Sequence, residues 1–142
     1  MQSWLFYALL SAVSAAFVSI FGKWALQGVD SNTATAVRAV IMALFMIGVI
    51  TVQGNLSHLP EVLADKRGLF FVALSGIAGA VSWLFYFLAL QSGKVSQVAP
   101  IDKLSVVFAV LLSIIFLGEK VSFLHGIAIA MIGVGGLILA IF

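Results

Sequence analysis

The sequence predicts an all-α membrane protein with five transmembrane helices, and three observations carry that prediction. First, 63% of the 142 residues are hydrophobic, and only 12 are charged (7 Lys or Arg, 5 Asp or Glu). That charged share is about a third of the share usual in soluble domains, too little to cover so small a soluble protein. Second, the apolar residues form five runs long enough to cross a bilayer as helices. Third, these runs are continuous rather than alternating, which argues against a β-barrel.

The first two predicted spans lie close together in the sequence. The first runs from Trp4 to Leu26 and has no charged residue before Lys23. A cleaved signal peptide normally begins with a basic segment, and Met1-Gln2-Ser3 is not basic, so we expect this span to be retained. The second runs from Thr33 to Val52 and contains Arg38.

The polar stretch from Gln53 to Gly68 is the only long loop of the predicted arrangement. Three more apolar runs follow it, separated by short polar links, and the whole chain, 1–142, is predicted to be one domain. The remaining predicted spans are Leu69–Leu90, Val98–Leu117 and Val121–Phe142, joined by the link Gln91–Gln97 and the turn Gly118–Lys120.

Two spans carry charged residues near their starts. Beyond Arg38 the second span retains only Ala39–Val52, and the fourth retains only Leu104–Leu117 beyond Asp102 and Lys103. Each remainder has 14 residues. A helix of that length rises about 21 Å, short of the roughly 30 Å hydrocarbon core. We therefore expect these three charged groups at or just inside the membrane boundary.

The basic residues of the loops define the orientation only weakly. Lys and Arg are normally enriched on the cytoplasmic side, and five spans place the two termini on opposite sides. Two interpretations stay open: the N-terminal side is cytoplasmic, or the chain inserts both ways and forms an antiparallel dimer. The N-terminal side carries Lys66, Arg67 and Lys120, and the other side carries Lys23 and Lys94, with Arg38 close by.

Small and weakly polar residues recur at helical spacing on three spans. They suit close helix packing, with each hydroxyl bonded to a carbonyl of its own helix. Alternatively they line a polar passage between the first, third and fourth spans, because the stripes contain or end at ionisable groups. The stripes are Ser11-Ala15-Ser19-Lys23, Ser75-Gly79-Ser82-Tyr86 and Asp102-Ser105-Ala109-Ser113.

Asp102 is the first candidate for ion or proton binding. Pro100 can begin a helix without losing a hydrogen bond, which would place Asp102 in the first turn, where the helix dipole stabilises a carboxylate. The alternative is a proton- or cation-binding carboxylate at the mouth of a cavity. Lys103, Arg38 and Lys23 either extend their charge to the interface or meet a carboxylate or an anionic solute group.

Aromatic residues cluster within the third span, at Trp83, Phe85, Tyr86 and Phe87. Trp and Tyr are typical of membrane edges, and that position explains Tyr86 better than Trp83. The alternative is that the cluster forms the wall of a pocket for an apolar or aromatic solute.

The fifth span is the richest in glycine and has no charged residue. Gly126, Ala130, Gly133 and Gly136 favour close helix contact, either within the bundle or across a dimer.

The residues needed for a metal site, an enzyme active site or a nucleic-acid surface are missing from the sequence. There is no cysteine, and the two histidines, His58 and His125, cannot form a metal site at any helical spacing. We also find no nucleophile with a base and an orienting partner. We therefore expect neither enzyme activity nor a metal or cofactor, and a net charge of +2 is too small for a nucleic-acid surface.

Several motifs resemble an EamA-type domain of the drug/metabolite transporter superfamily, and the resemblance covers nearly the whole chain. Arg38 in the second span resembles that family as well. The motifs are Phe87-Leu88-Ala89-Leu90, Ala99-Pro100-Ile101-Asp102-Lys103-Leu104-Ser105, Phe116-Leu117-Gly118-Glu119-Lys120 and the glycine-rich segment Gly126–Gly136.

Most members of that family resemble two such domains in tandem, with ten helices in inverted halves. This chain is similar to the short single-domain bacterial members, which implies half of that architecture and an antiparallel homodimer. The resemblance implies alternating-access transport of a small metabolite or drug-like solute across the inner membrane, with protons as candidate coupling ions. A non-transporting structural or regulatory subunit, or half of a heteromeric transporter, stays open. The candidate pathway residues are Asp102, Trp83, Tyr86, Arg38, Ser105, Lys23 and Lys103.

Overall fold

A computed structural model describes residues 3–141, so the predicted limits at Met1 and Phe142 lie outside the described residues. Within that range the secondary structure is helical, without strands, and five helices are long and apolar enough to cross a membrane. The prediction of an all-α protein with five spans is confirmed. The spans are Ser3–Ala25, Ser31–Val52, Lys66–Ser92, Val95–Leu117 and Phe123–Ile141.

The second span begins two residues before the predicted Thr33 because Asp30 caps it. The Asp30 carboxylate accepts hydrogen bonds from the backbone N–H and the hydroxyl of Thr33, both at 2.8 Å. These two bonds hold the pKa of Asp30 below its ordinary value, and the bond from the backbone N–H has the larger effect. The cap satisfies one of the first N–H groups of the helix, which have no partner within it.

The predicted long loop is largely ordered into short helical pieces. A 3₁₀ turn at Asn55–His58 is followed by a short helix, Leu59–Ala64, with Pro60 in its first turn. The third span then begins at Lys66, three residues before the predicted start. Helical hydrogen bonds do not require apolar side chains, so the helix includes charged residues that the apolar run excludes.

The fourth span begins at Val95, and Pro100 lies inside its first helix, Val95–Asp102. The prediction that Pro100 begins the helix and that Asp102 lies in its first turn is therefore wrong. Asp102 is the last residue of that helix. The helix starts five residues before the proline, where the carbonyl of Lys94, a residue in extended conformation, accepts the N–H groups of Gln97 and Val98.

A break at Lys103 divides the fourth span into two helices. Pro100 has no N–H to donate one turn back, which weakens the ladder there. At the break the backbone changes to shorter i→i−3 bonds, from Lys103 N–H to the Pro100 carbonyl and from Val106 N–H to the Lys103 carbonyl. The second helix runs from Leu104 to Leu112.

The fourth span ends in a π-helical turn, Ser113–Leu117. Gly118 follows with a φ of 67°, a left-handed conformation that favours glycine, and the N–H of Glu119 bonds back to the Ser113 carbonyl at 3.3 Å. This turn leads to the fifth span, which begins at Phe123, two residues after the predicted start.

The described residues form two compact units. One contains the chain up to Phe21 together with the chain from Ser92 onward, and in it the fifth span packs on the fourth. The other is Gly22–Gln91, which holds the second and third spans and the end of the first. The buried large hydrophobic side chains within residues 3–141 are Leu26, Phe87 and Leu90, all in this second unit.

Candidate functional site

The site is centred on the Arg38 guanidinium, which stacks on an aromatic ring of the third span. Arg38 is the eighth residue of the second span, Ser31–Val52, so it lies about 10 Å along that helix. Its Cζ atom is 3.7 Å from the centroid of the Trp83 ring and 5.1 Å from that of Phe87. The structure thus joins two predicted pathway residues, Arg38 and Trp83, in one contact.

The two rings under this guanidinium, Trp83 and Phe87, form a cluster with Tyr86. Trp83 lies 5.6 Å from Tyr86 and 5.7 Å from Phe87, centroid to centroid, and Tyr86 and Phe87 are 5.9 Å apart. Phe87 is only 3% exposed. Its ring fits against Gly22 of the first span so closely that a Cβ atom there would lie 2.5 Å from its Cε1 atom. The stack is therefore backed by a ring that has little room to move.

The stack offsets much of what an arginine costs inside a membrane span. An Arg at the centre of a membrane helix costs about 2.5–3.5 kcal/mol on insertion scales, and Arg38 lies before the centre of its span, as the eighth of 22 residues. A desolvated cation–π contact contributes about 2 kcal/mol. The ion pairs within residues 3–141 are His58–Glu61 and Lys103–Asp102. No carboxylate of the described chain pairs with Arg38, so its edge donors are left for water or an anion.

The tight packing of the second span ends at Arg38. Ser31, Ala34, Thr35 and Arg38 share one helix face and are its least exposed residues in this half, whereas residues 39–48 are all exposed. The Thr35 hydroxyl bonds to the Ser31 carbonyl at 2.8 Å. The Ser31 hydroxyl is buried without a hydrogen-bond partner among the described residues. Arg38 is therefore the last polar residue of this face before the exposed stretch of the span begins.

Lys23 has a structural partner in the same unit. Its Nζ atom donates to the carbonyl of Leu90 at 2.6 Å, and Leu90 is fully buried. That carbonyl lies in the last turn of the third span, where carbonyls lack helical donors and a cation opposes the helix dipole favourably. Gln91 bonds to the Val29 carbonyl at the same end, at 3.3 Å. A pathway role for Lys23 stays a prediction.

Asp102 and Lys103 form a contact of their own in the first unit. Their Oδ2 and Nζ atoms are 3.3 Å apart, with side chains 34% and 55% exposed respectively. Neighbours on a regular helix point about 100° apart, so the sequence did not require this pair. The pair lies at the break between the two helices of the fourth span. Ser105 is exposed on the following helix.

The four small residues of the fifth span divide into two pairs. A Cβ atom on Gly136 would lie 3.1 Å from Leu104 and 3.3 Å from the Pro100 carbonyl, and one on Gly133 would lie 3.3 Å from Val107. A Cβ atom on Gly126 would have no neighbouring atom within 4 Å, and Ala130 is exposed. The first pair packs within the chain, and a dimer role for the second pair stays a prediction.

Serine hydroxyls of the predicted stripes bond to their own helices. Ser19 donates to the Ala15 carbonyl at 3.1 Å, and Ser113 donates to the Val110 carbonyl at 2.9 Å. These bonds agree with the packing interpretation. The polar passage between spans stays a prediction.

Sequence reasoning did not identify Phe87 and Gly22 as parts of the arginine site. The spacing of Trp83, Tyr86 and Phe87, at i, i+3 and i+4, was a usable signal, because it places three rings on one helix face. Phe85 lies outside this group and is 62% exposed.

A chain with five membrane-spanning helices and charged groups within them is a multi-pass membrane protein. Residues 2–141 match the EamA-like transporter family. The chain belongs to that family, as its motifs predicted, and is therefore a membrane transporter in general class.

Two relatives can be compared directly. An uncharacterized transporter encoded in the cobO 3′ region of a Sinorhizobium species is 39% identical over 141 residues, covering 99% of both chains. An uncharacterized protein of Methanocaldococcus jannaschii is 30% identical over 80 residues, covering 56% of this chain and 58% of the relative. No solved structure matches the chain.

Proposed function

We propose that this protein moves a small metabolite or drug-like solute across the bacterial inner membrane by alternating access. The observation that carries the proposal is the Arg38 stack, a guanidinium at membrane depth with aromatic rings beside it and no carboxylate partner among residues 3–141. Ionisable groups at such depth usually face a bundle interior or a water-filled cavity. Membership of a transporter family supports the same conclusion.

The direct test is uptake into proteoliposomes that contain the purified protein. Saturable uptake of a small solute, absent from protein-free vesicles, is the expected result. Failure of any solute to bind or move would favour the structural-subunit alternative. Co-purification of a second five-helix chain with this one would favour half of a heteromeric transporter.

The proposed active form is an antiparallel homodimer of one five-span domain, residues 1–142. The family's tandem members resemble two inverted halves, and the loop charges of this chain favour neither orientation strongly. Orientation is simple to measure, because successive loops lie on opposite sides of the membrane.

Single cysteines in successive loops test this orientation, and the chain has no cysteine of its own. Gln27→Cys lies between the first two spans and Ser57→Cys between the second and third, both at exposed positions. Dual insertion predicts that a membrane-impermeant maleimide labels each variant partly in intact cells. Complete labelling of one variant and none of the other would overturn the antiparallel homodimer.

Asp102 is the proposed coupling group, with protons as the coupling ions. We expect Asp102→Asn to abolish uptake driven by a proton gradient while the dimer still forms, as judged by cross-linking. Glu119→Gln, a change of the same kind in the turn after the fourth span, serves as the matched control and should retain uptake. Full uptake by Asp102→Asn would limit Asp102 to its contact with Lys103 at the helix break.

A further inference from the structure

We propose that the Arg38 stack binds an oxyanion, a carboxylate or a phosphate, so that the solutes of this transporter are organic anions. This inference rests on the proposed transport function and names the substrate class of the same site. It starts from the geometry of the guanidinium on Trp83.

A guanidinium that lies on a ring keeps its hydrogen-bond donors available. Its five N–H groups project in its own plane, around the edge, whereas the ring contacts one of its faces. Arg38 stacks on Trp83 at 3.7 Å and makes no hydrogen bond to residues 3–141 that would occupy this edge. Two parallel N–H groups match the two oxygens of a carboxylate or phosphate.

The charges of the surrounding helices have the same sign as Arg38. The first three spans contain Lys23, Lys66, Arg67 and Arg38 but neither Asp nor Glu. A cationic solute would find no carboxylate on these helices to balance its charge. An anionic solute would complete the ion pair that the described chain leaves unmade.

The three carboxylates of the second unit, Asp30, Glu61 and Asp65, all lie outside these spans. Asp30 caps the second span through Thr33, and Glu61 pairs with His58 at 3.2 Å in the loop. In the first unit, Asp102 is neutralised by the adjacent Lys103. Besides Lys66 and Arg67 at the start of the third span, the Lys and Arg residues of the second unit are Lys23 and Arg38, and Lys23 donates to the Leu90 carbonyl. Arg38 has no hydrogen-bond acceptor within residues 3–141.

The neighbouring rings favour an anion with an aromatic or apolar body. Trp83, Tyr86 and Phe87 lie within 6 Å of one another, and the guanidinium lies over Trp83 and Phe87. Aromatic acids therefore make suitable probes, because the acid group can meet the guanidinium edge while the ring meets aromatic carbon.

Binding can be followed with the fluorescence of Trp83 itself. Trp4→Phe and Trp24→Phe leave it as the single tryptophan of the chain, which has three. The protein is placed in phosphatidylcholine nanodiscs and titrated with benzoate and phenyl phosphate, then with neutral benzamide and cationic benzyltrimethylammonium. We expect the two oxyanions to bind at least tenfold more tightly than the other two probes.

Variants of arginine identify the group that binds. Arg38→Lys keeps the charge but loses the planar fork, and should weaken benzoate binding at least tenfold; Arg38→Gln should remove it. Arg67→Gln removes an arginine at the exposed start of the third span and should change benzoate binding less than twofold. Should Arg38→Gln fail to fold, by circular dichroism, Arg38→Lys carries the test alone. Unchanged benzoate binding by Arg38→Lys, or preference for the neutral or cationic probe, would overturn the proposal.

A lipid phosphate is the other source of the same chemistry. Nanodiscs with increasing phosphatidylglycerol distinguish the two sources: if the site serves a free solute, benzoate affinity should fall only by the few-fold that the negative surface potential imposes on any anion. Loss of benzoate binding in proportion to phosphatidylglycerol would assign the site to lipid and overturn the anionic-solute proposal.

Uptake of the same probes separates this inference from the transport function. Transport of benzyltrimethylammonium but not of benzoate would sink the anion proposal and leave a transporter. Benzoate binding that depends on Arg38, without uptake of any probe, would sustain the oxyanion site and refute transport.

Discussion

Gly22→Ala should destabilise the protein, although alanine is the better helix former. A Cβ atom at this position would lie 2.5 Å from Cε1 and 3.1 Å from Cζ of Phe87, whereas ordinary contact begins at 3.4 Å. The ring would have to move by about 0.9 Å, and it is almost fully buried against Trp83. Overpacking of this kind costs about 1–3 kcal/mol, and replacing Gly by Ala in a helix returns about 1 kcal/mol. The expected net loss reaches about 2 kcal/mol.

Titration with sodium dodecyl sulfate in mixed micelles, followed by tryptophan fluorescence, measures this loss. Gly48→Ala is the matched control, since Gly48 is also inside a span but a Cβ atom there would have no neighbouring atom within 4 Å. It should leave stability unchanged or raise it by up to about 1 kcal/mol. In a Phe87→Leu background, which shortens the opposing side chain, Gly22→Ala should lose most of its effect. If Gly22→Ala is as stable as Gly48→Ala, the close approach of the first and third spans is refuted.

Three further predictions concern the helix ends, all measured by the same titration. Lys23→Met removes the donor to the Leu90 carbonyl and should cost about 1.5–3 kcal/mol, whereas Lys23→Arg keeps a donor; equal losses would contradict the capping role. The pKa of Asp30 is lower in the folded protein than in the unfolded chain. The carboxylate therefore contributes its full share of folding stability above the unfolded-state pKa, and this share is lost as the pH falls through the folded-state pKa. Below about pH 4 the wild type should therefore lose more stability than Asp30→Asn, whose amide oxygen still caps Thr33; parallel pH profiles would contradict this. Gly118→Ala forces a side chain onto a φ of 67° and should cost about 1 kcal/mol, with Gly118→Asn costing less; no difference from wild type would exclude the left-handed turn.

The five spans could be predicted from sequence because a membrane helix is a local property of about 20 apolar residues. Their limits were less accurate, since polar residues such as Lys66 continue a helix as well as apolar ones do. Pro100 was misplaced for a related reason. Proline is favourable at a helix start, but this helix begins at Val95 and accommodates the proline inside it.

The candidate site was predictable only as separate residues. Arg38 and Trp83 were each recognisable as unusual at membrane depth, yet no local pattern indicates that two residues on different spans meet. Their contact depends on how the second and third spans cross, and on the close approach that Gly22 allows to Phe87. Such approaches are determined by three-dimensional packing, and the periodicity of the sequence does not predict them.

The break in the fourth span has a consequence for how the chain enters the bilayer during synthesis. Val95–Asp102 has 8 residues and Leu104–Leu112 has 9, so each rises about 12–14 Å and neither crosses the hydrocarbon core alone. The translocon would meet a charged pair between them before a long uncharged segment of the fourth span has emerged. The uncharged fifth span arrives after a short turn, and its Gly136 packs at the break, against Leu104 and Pro100. We therefore expect these two spans to insert as one helical hairpin, with membrane integration of the fourth waiting for translation of the fifth.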